Sequence, residues 1–439
     1  MNKVIISFLV SFSLLSMLLI AIPSPTVALP ALVTSPTLIA SYYNETGLFA
    51  AGHNGANVTI AIIDPYAGAE SATNLSIDFT DFSNNFGVVG GSLAFAYPFM
   101  SGDYNHSNIN VGWGPEDALD TQAAHSAAPG ARILMVFSPT ANGSDLANAI
   151  SWTAAHTNAS VISMSWQEPE SLAWTSGDMT ALNASFTAAA AAHVTLLAAA
   201  GDCGAYDNTN STTVAYPAES VLVTAVGGTS LHGYGSTVTT EGAWNGTGAY
   251  PCANSGGGGG GESSFILPAW QTVNNRILTN RALPDVSAVA TPGLPIYVGG
   301  VAGGDWGGTS LATPLWAGFV ATIDSKLGHS IGFMNPALYN ILNSPTEYAR
   351  DFTDVTYGNN GYNASVCWDF ATGIGTPNVG ALADTLNNTA SGGSGCAIGG
   401  GGGSPPPASS ITTVIELGAV GLVVALILVG VTQNRRAWR

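Results

Sequence analysis

Residues 307–314 read Gly-Gly-Thr-Ser-Leu-Ala-Thr-Pro, and an apolar helical pattern through Trp316, Phe319 and Val320 follows them. The glycines allow another backbone to approach closely, and a serine at a helix start lies in positive potential, where developing negative charge is stabilised. Serine and threonine also cap helices routinely, so the turn alone could be a simple N-cap. The stretch makes Ser310 a candidate nucleophile, which needs a base.

Five short, apolar and β-branched runs indicate buried strands, each followed by a helical pattern. They cover residues 58–63, 133–137, 161–165, 194–200 and 221–226. Buried strands that alternate with alanine-rich helices predict an α/β fold, a parallel sheet with helices on both faces. Functional residues in such sheets collect at the carboxyl ends of the strands.

The charge balance of the chain is strongly acidic. Nine Lys and Arg residues stand against 27 Asp and Glu residues, for a formal net charge of −18, yet charged residues make up only 8% of the 439 residues. The acidic, Lys-poor composition argues against nucleic acid as a partner because phosphate binding needs basic patches. A fold with few ion pairs loses little when carboxylates become protonated, so the composition fits a low-pH habitat.

Two further segments carry carboxylates. Residues 114–122 read Gly-Pro-Glu-Asp-Ala-Leu-Asp-Thr-Gln, and Pro115 suits a first helical turn. Glu116 and Asp120 then project from one helix face, although such a pair is usually solvated surface. Asp202 follows a predicted strand. Ionised, it would repel an oxyanion; protonated, it donates a hydrogen bond, so it is useful only at low pH or with a raised pKa.

The segment around Ser310 resembles the nucleophile segment shared by subtilisins and sedolisins. The His-Gly-Thr-His segment that supplies the subtilisin base is absent from the sequence. Sedolisins instead use a glutamate and an aspartate at the spacing of Glu116 and Asp120, and an aspartate where Asp202 stands. The chain therefore resembles the sedolisins, which are serine-carboxyl peptidases with a subtilisin-like fold.

The resemblance implies an acid-acting endopeptidase for protein or peptide substrates. Ser310 would be the nucleophile, Glu116 and Asp120 the base system, and Asp202 the oxyanion donor. Asp64 and Trp166 match positions that extend the hydrogen-bond chain in some members, usually with glutamate in place of Asp64. Further matching segments lie at residues 127–133, 163–166, 216–218, 226–229, 268–271 and 284–287, so the resemblance covers nearly all of a predicted single domain over residues 34–386.

Two other features of this domain carry expectations. The glycine run at residues 256–261 is expected to line the substrate cleft, where close backbone approach needs glycine. His125 could be proposed as a subtilisin-type base, but its setting, Ala-Ala-His-Ser-Ala-Ala, lacks the Gly-Thr-His environment. We expect it to be a half-exposed helix residue.

The resemblance also implies a Ca²⁺ site near the end of the domain, in segments 351–355 and 365–375. Two carboxylates and three backbone carbonyls would bind the ion; they belong to Asp354 and Asp369, and to Val355, Ser365 and Cys367, respectively. Oxygen ligands suit this hard cation. The family usually has glycine where Ser365 and Cys367 stand, so the backbone angles of these two residues decide whether the loop is kept.

Targeting segments are predicted at both ends. Lys3, an apolar run and a small-residue site indicate a signal peptide over residues 1–28, with an uncleaved anchor as the alternative because the run is long. Residues 391–410 form a Gly/Ser/Pro-rich linker, and residues 411–431 are apolar enough for a transmembrane helix. The arginines in tail 432–439 place it in the cytoplasm. The domain would lie outside a cell membrane on a single span.

An extracellular location agrees with the cysteines and the glycosylation sequons. The four cysteines, Cys203, Cys252, Cys367 and Cys396, allow three disulfide connectivities, and we prefer sequential pairing because each pair closes a loop-rich stretch within one region. Free buried thiols are the alternative. Asn-x-Ser/Thr sequons, which predict a glycan-bearing exterior, start at Asn44, Asn57, Asn74, Asn142, Asn158, Asn183, Asn210, Asn245 and Asn363. We expect a monomer.

Two other functions are weighed against the peptidase. A neutral subtilisin-like protease conflicts with the missing histidine segment. A membrane-tethered cell-surface binding protein with an inactive peptidase fold conflicts with the presence of Ser310, Glu116, Asp120 and Asp202. Sedolisins typically carry a long N-terminal prosegment, and here only a few residues separate the predicted cleavage site from the domain. We therefore expect folding without a prosegment, or external control of activity.

Overall fold

The predicted apolar runs form the centre of one sheet. The computed structural model describes residues 30–66, 72–99, 112–170, 175–207, 209–245 and 256–388, which all belong to one compact unit. The strands are β1 (Thr59–Pro65), β2 (Ser92–Ala96), β3 (Arg132–Ser138), β4 (Ala159–Met164), β5 (Glu168–Pro169), β6 (Thr195–Ala199), β7 (Ala215–Tyr216), β8 (Thr224–Tyr234), β9 (Thr237–Ala243), β10 (Gly261–Ile266), β11 (Asn280–Leu283), β12 (Val286–Thr291), β13 (Leu294–Val298), β14 (Val301–Trp306), β15 (Phe352–Thr353) and β16 (Thr376–Pro377).

Helices occupy much of the chain between the strands. They are α1 (Pro36–Tyr42), α2 (Thr46–Ala50), α3 (Ala72–Phe86), α4 (Gly114–Ala127), α5 (Gly143–His156), α6 (Ser176–Ala191), α7 (Thr309–Leu327), α8 (Asn335–Leu342), α9 (Pro345–Asp351) and α10 (Val379–Asn388). The main sheet has the order β12-β8-β6-β4-β1-β3-β2, and these strands pair in parallel. The predicted α/β class with a parallel sheet is confirmed.

Residues that alternate along the strands cover opposite faces of the sheet. Ile60 and Ile62 of β1 belong to a core cluster with residues of α4 and α7, such as Leu119 and Leu315. Ile63 of the same strand belongs to a second cluster, with residues of α5 and α6. Because successive side chains of a strand point to opposite faces, this division places helices on both sides of the sheet, as predicted.

The prediction of a helix after every strand is wrong for the last two. A short 3₁₀ turn (Gly204–Tyr206) and β7 follow β6, and β8 continues into β9, which folds back antiparallel to it. The segment that forms β9 reads Thr-Val-Thr-Thr-Glu-Gly-Ala, and its β-branched residues favour a strand. β8 also begins later than predicted and runs to Tyr234.

The carboxyl ends of three neighbouring strands define one edge of the sheet. In the order β6-β4-β1, Asp202 follows β6, Ser165 and Trp166 follow β4, and Asp64 lies near the end of β1. Parallel strands bring their carboxyl ends to the same edge, so residues far apart in the chain meet there.

The asparagines of the predicted glycosylation sequons lie at the surface, with one exception. Asn183 is half-buried, and its side-chain oxygen accepts a hydrogen bond of 3.2 Å from the Tyr216 hydroxyl. The other asparagines named above are exposed, which a glycan requires. Glycosylation stays a prediction, and Asn183 is its least accessible site.

The predicted terminal segments lie outside the described residues. These segments are the signal peptide (1–28), the linker (391–410), the transmembrane helix (411–431) and the tail (432–439). Within the described ranges, we find no helix with the length and apolar character needed to cross a membrane.

Candidate active site

The turn before α7 is held against the end of β12. The N–H group of Gly308 donates to the carbonyl oxygen of Ala290 at 2.9 Å, and a Cβ on Gly307 would overlap that same oxygen. Gly308 has a φ of +92°, in the region that favours glycine. Thr309 then begins the helix, and Ser310, in its first turn, is half-exposed.

Asp202 reaches this turn from the end of β6. Its Oδ1 atom accepts hydrogen bonds from the backbone N–H of Thr309 at 2.8 Å and from the Thr309 hydroxyl at 2.6 Å. Both bonds fall on Oδ1, so Oδ2 is the oxygen available to carry a proton. Burial raises the pKa of Asp202, while the two bonds from Thr309 lower it in part.

Helix α4 approaches from the other side and packs closely on α7. A Cβ on Gly318 would lie 2.5 Å from the Cβ of Ala127, so only glycine fits at this contact. The Thr322 hydroxyl donates to the carbonyl oxygen of Ala127 at 3.0 Å. The contact brings the first turns of the two helices together.

Glu116 faces Ser310 as a result. The Ser310 hydroxyl lies near the half-buried Glu116 carboxyl group. Burial has the largest effect and raises the pKa of Glu116 to about 8; the nearby Ser310 hydroxyl lowers it in part, and the charges of Asp64 and Asp202 also raise it. The structure therefore brings together a serine, a carboxylate that can take its proton and the second carboxyl group of Asp202.

Asp120 lies one helical turn behind Glu116, as its spacing predicts, and is fully buried. Burial raises its pKa well above the ordinary value, and the charges of Asp64 and Glu116 add to that effect. The nearby Ser165 hydroxyl lowers this pKa in part, although neither Asp120 carboxyl oxygen has a hydrogen-bond partner among the described residues. Glu116 is thus half-buried, and Asp120, one turn further along the helix, is fully buried. Burial disfavours two ionised carboxylates side by side, so this arrangement favours a single proton shared between them.

Asp64 and Trp166 lie beside this chain. The indole N–H of Trp166 donates to the carbonyl oxygen of Ile63 at 2.7 Å, which fixes the ring at the end of β1. Asp64 is fully buried, and neither of its carboxyl oxygens has a hydrogen-bond partner among the described residues. Burial raises the pKa of Asp64 to about 7, and the neighbouring Asp117 side chain opposes part of that rise.

Asp117 is a site residue that the sequence analysis missed. It stands next to Glu116 in α4 but is only 1% exposed. A signal was present in the sequence: polar residues are spread around all sides of α4, so the helix has no distinct apolar face, yet the apolar strands around it predict a buried position. A polar helix inside an α/β fold indicates a functional interior.

Asp207 is a second missed carboxylate. Its Oδ1 atom accepts a hydrogen bond of 3.0 Å from the Gln167 side chain, beside Gly201. Burial raises its pKa to about 7, and the charge of Asp202 contributes. Asp207 has a φ of +37°, a conformation that aspartate tolerates better than most residues.

The expectation for His125 is wrong. Its side chain is fully buried rather than half-exposed, and its ring lies 4.3 Å from that of Phe79, centroid to centroid. Burial lowers its pKa to about 4. The ring packs in the interface of α3 and α4, because the face of α4 that carries His125 is covered by α3.

The glycine run at residues 256–261 approaches the chain's own backbone closely, and its predicted place along the substrate cleft stays a prediction. A Cβ on Gly259 would overlap the carbonyl oxygen of Ala200, and the N–H of Gly257 donates to the carbonyl oxygen of Asp202 at 2.8 Å. The run therefore packs on the chain's own backbone at Asp202 and supports the position of that residue.

The residues of the predicted Ca²⁺ site meet at one turn. Asp354 Oδ2 accepts the N–H of Cys367 at 2.9 Å, and Asp369 Oδ2 accepts the N–H of Ser365 at 2.6 Å. Cys367 has a φ of +65°, in the region that favours glycine. Val355 adjoins Asp354 and is buried.

These residues fit a hard cation by their donor chemistry. Burial raises the pKa of Asp369 to about 7 and also raises that of Asp354, which indicates two buried carboxylates that a cation would stabilise. Arg276 lowers the pKa of Asp369 only as a minor effect. Across the described ranges, no group of three or more His, Cys, Asp or Glu side chains could hold a metal, so the site would depend on backbone carbonyls.

Both described cysteines, Cys203 and Cys367, are disulfide-bonded. Cys252 and Cys396 lie outside the described residues, so the sequential pairing stays a prediction. Cys203 adjoins Asp202, and Cys367 belongs to the predicted Ca²⁺ turn. Each of these two cysteines therefore lies in a loop that carries a candidate functional group.

Several known proteins are similar to this chain in sequence and in fold. The subtilase family (Peptidase_S8) matches residues 104–339. Kumamolisin from Bacillus sp. (strain MN-32) is 36% identical over 366 residues, 78% of this chain and 62% of the relative. Sedolisin from Pseudomonas sp. (strain 101) is 30% identical over 356 residues, 77% of this chain and 59% of the relative. The chain thus spans about three fifths of the length of these curated relatives.

A solved structure agrees with the sequence comparison. Pseudomonas sedolisin, described as a serine-carboxyl proteinase complexed with two molecules of pseudo-iodotyrostatin, matches with a TM-score of 0.71 at 27% sequence identity. The match covers 82% of this chain and 99% of that chain. The predicted resemblance to the sedolisins is confirmed.

Gly308 offers a direct test of the turn. A Cβ there would overlap Asp202 Oδ2 at a φ that alanine disfavours, so Gly308→Ala is expected to lower the hydrolysis of denatured protein about 100-fold or more. Gly328→Ala is the matched control, because its φ is +76° and nothing lies within 4 Å of an added Cβ. Equal activity of both folded variants would contradict this role of the turn.

Proposed function

Because the chain belongs to the subtilase family, we propose that it is a serine-carboxyl endopeptidase of the sedolisin type that cleaves peptide bonds in acid. The observation that carries the proposal is the position of the Ser310 hydroxyl beside the Glu116 carboxyl group, whose pKa it lowers, which gives the nucleophile a candidate base. The similarity to kumamolisin and sedolisin supports the same reaction class. Substrates would be proteins or peptides.

The first half of the reaction follows from the positions of three side chains. As Ser310 Oγ bonds to the carbonyl carbon of the substrate, Glu116 accepts the hydroxyl proton. The substrate oxygen becomes negative and accepts a hydrogen bond from the protonated Oδ2 of Asp202. The N–H groups in the first turn of α7 add positive potential there, because helix N–H groups at that end lack intrahelical acceptors.

Proton return completes the cycle. Glu116 passes its proton to the leaving amine, the peptide C–N bond breaks, and an acyl-enzyme ester on Ser310 remains. Glu116 then takes a proton from a water that attacks the ester, and Ser310 Oγ leaves with that proton. Asp120 stabilises the protonated and ionised forms of Glu116 by sharing one proton across the buried pair.

Acid operation is proposed from the protonation state that this chemistry needs. Asp202 must hold a proton, while Glu116 must be able to release and accept one. Burial raises both pKa values, so Asp202 keeps its proton to a higher pH than an exposed aspartate would. Activity on the alkaline side is lost when Asp202 ionises and repels the oxyanion.

We also propose the finer features that the sequence predicts. Ca²⁺ would bind to the carboxylates of Asp354 and Asp369 and to the carbonyls of Val355, Ser365 and Cys367, where it would stabilise the turn. The protein would be a monomer with a cleaved signal peptide, a glycan-bearing domain and a C-terminal span that holds it on the outer face of a cell membrane.

The proposed function is tested by hydrolysis of denatured protein across the acid and neutral pH range. The purified protein should be active in acid, and Ser310→Ala should remove nearly all activity, with a loss on the order of 10⁴-fold or more in kcat. Glu116→Gln should lose a comparable factor, because an amide cannot accept the proton. If the three proteins behave alike, the peptidase assignment is wrong and an inactive cell-surface binding fold gains support.

The role of Asp202 is tested by Asp202→Asn. The amide oxygen can still accept both bonds from Thr309, and the amide nitrogen takes the place of Oδ2 as a donor that needs no added proton. The alkaline fall in kcat/KM should therefore move to higher pH by about one unit or more, since the group that ionises is removed. An unchanged alkaline limb with full acid activity would show that Asp202 does not act as a protonated donor.

The Ca²⁺ proposal is tested by metal content and stability. The wild-type protein should retain Ca²⁺ through gel filtration, and removal by a chelator should lower its Tm by several degrees, because a ligand at ~1,000 times its Kd stabilises by about 4 kcal/mol. Asp354→Asn should lose the metal and the chelator effect. The exposed Asp305→Asn is the control. Equal Ca²⁺ content in both variants would refute the site.

A further inference from the structure

The glycine run at residues 256–261 is bonded to the backbone segment that carries Asp202. The N–H group of Gly257 donates to the carbonyl oxygen of Asp202 at 2.8 Å. The N–H group of Gly259 donates to the carbonyl oxygen of Gly201 at 2.8 Å. The position of the Asp202 backbone therefore depends on the position of the run.

A run of glycines cannot hold such a position by itself. Glycine has more backbone freedom than any other residue and no side chain that could pack, so the run must be fixed by its neighbours. Asn360 is one of these neighbours, and it is only 1% exposed. Its side-chain Nδ2 donates to the carbonyl oxygen of Gly258 at 2.6 Å. This bond falls between the two glycines that are bonded to the Asp202 segment.

Further hydrogen bonds fix the orientation of the Asn360 amide. Nδ2 also donates to the carbonyl oxygen of Phe370 at 3.1 Å, and Oδ1 accepts the N–H of Tyr362 at 3.0 Å. Because an amide nitrogen donates and an amide oxygen accepts, this pattern fits one orientation of the side chain. The carbonyl oxygen of Asn360 accepts the N–H of Ala205 at 2.7 Å, just beyond Asp202 in the chain. Asn360 thus joins the glycine run and the Asp202 segment at one buried point.

The side chain of Asp202 has little room for movement. Its Oδ1 atom is bonded to Thr309, and a Cβ on Gly308 would overlap its Oδ2 atom. Oδ2 is the atom that donates to the oxyanion in the proposed function. A displacement of about 1 Å near the reacting atoms can lower a rate about 100-fold, so a shift of the Asp202 backbone would affect kcat.

We propose that Asn360 is a positioning residue of the active site: its amide and its carbonyl oxygen hold the glycine run against the Asp202 segment and so keep the Asp202 carboxyl group aimed at the oxyanion. The inference rests on the proposed function and extends it. Asn360 acts through Asp202 and not by contact with the reacting atoms.

Asn360→Ala tests this role, because it removes both donations of the side chain. The kcat value should fall about tenfold to 100-fold with little change in KM, since Asp202 acts on the oxyanion of the transition state. Asn335→Ala is the matched control. Asn335 is also fully buried, and its Nδ2 donates to the carbonyl oxygen of Val223 at 3.0 Å, which belongs neither to the glycine run nor to the Asp202 segment. The folded control should lose stability but keep the kcat of the wild type.

A double-mutant comparison shows whether Asn360 acts through Asp202. Asp202→Ala removes the donor to the oxyanion, so adding Asn360→Ala to it should not lower kcat further. Independent structural damage would instead multiply the two losses. Tm and circular dichroism at the assay pH show whether each variant is folded.

Asn360→Asp provides a second test if Asn360→Ala does not fold. An aspartic acid keeps the acceptor for Tyr362 and, while it is protonated, one donor for Gly258. Its kcat relative to the wild type should be close to one in acid and fall as pH rises, because an ionised carboxylate would face the carbonyl oxygen of Gly258. A folded Asn360→Asp variant with a constant ratio across the pH range would overturn the inference.

The proposed function and this inference can fail separately. If the wild type is inactive, the proposed function fails and the inference fails with it. If the wild type is active while folded Asn360→Ala keeps its kcat, only the inference is overturned. The same conclusion follows if Asn360→Ala and Asn335→Ala lose kcat equally, or if the double variant loses kcat by the product of the two single losses.

Discussion

The close contact of α4 with α7 at Gly318 is the constraint on which the site depends. A side chain at this position would collide with Ala127 and with the backbone of Ala124, so the helices can reach this distance only through a glycine. Their N-terminal turns then converge at the carboxyl edge of the sheet, and Glu116 meets Ser310 there. A wider spacing would separate Glu116 from Ser310, whatever the sequence of either turn. The chemistry of the cleft therefore rests on van der Waals packing in the core.

The sequence predicts the parts of this site better than their surroundings. The i, i+4 spacing of Glu116 and Asp120 holds on any helix, so their common face could be predicted from local geometry alone. The burial of Asp117 and His125 could not, because it depends on α3 and β1, which pack on α4 from distant parts of the chain. The glycine-rich turn before Ser310 could also be predicted from the local sequence. Its hydrogen bonds with Asp202 could not, because they depend on the order of the strands in the sheet.

Protonated carboxyl groups are also a general feature of this core. Burial raises the pKa of Glu219 to about 9 and that of Asp324 to about 7, and both side chains are inside the protein. Each folded-state pKa exceeds the unfolded value, so this stabilisation is complete below about pH 4 and is lost as pH rises through the folded values. His125 acts in the opposite direction, because its neutral form is buried and its pKa is lowered to about 4. The carboxyl groups outnumber it, so their effect dominates.

The stability of the fold and the proposed chemistry therefore both depend on low pH. A core that contains carboxylic acids is most stable where those groups keep their protons, and Asp202 can donate to an oxyanion only under the same condition. A histidine base would add a positive charge to the site in that range, whereas a carboxyl group with a raised pKa is neutral while it holds its proton. The raised pKa values of the buried carboxyl groups and the absence of the His-Gly-Thr-His segment both agree with the proposed operation in acid. Among the described salt bridges, only Arg281 with Asp285 has both side chains fully buried, so carboxyl groups in this core depend more on protonation than on paired cations.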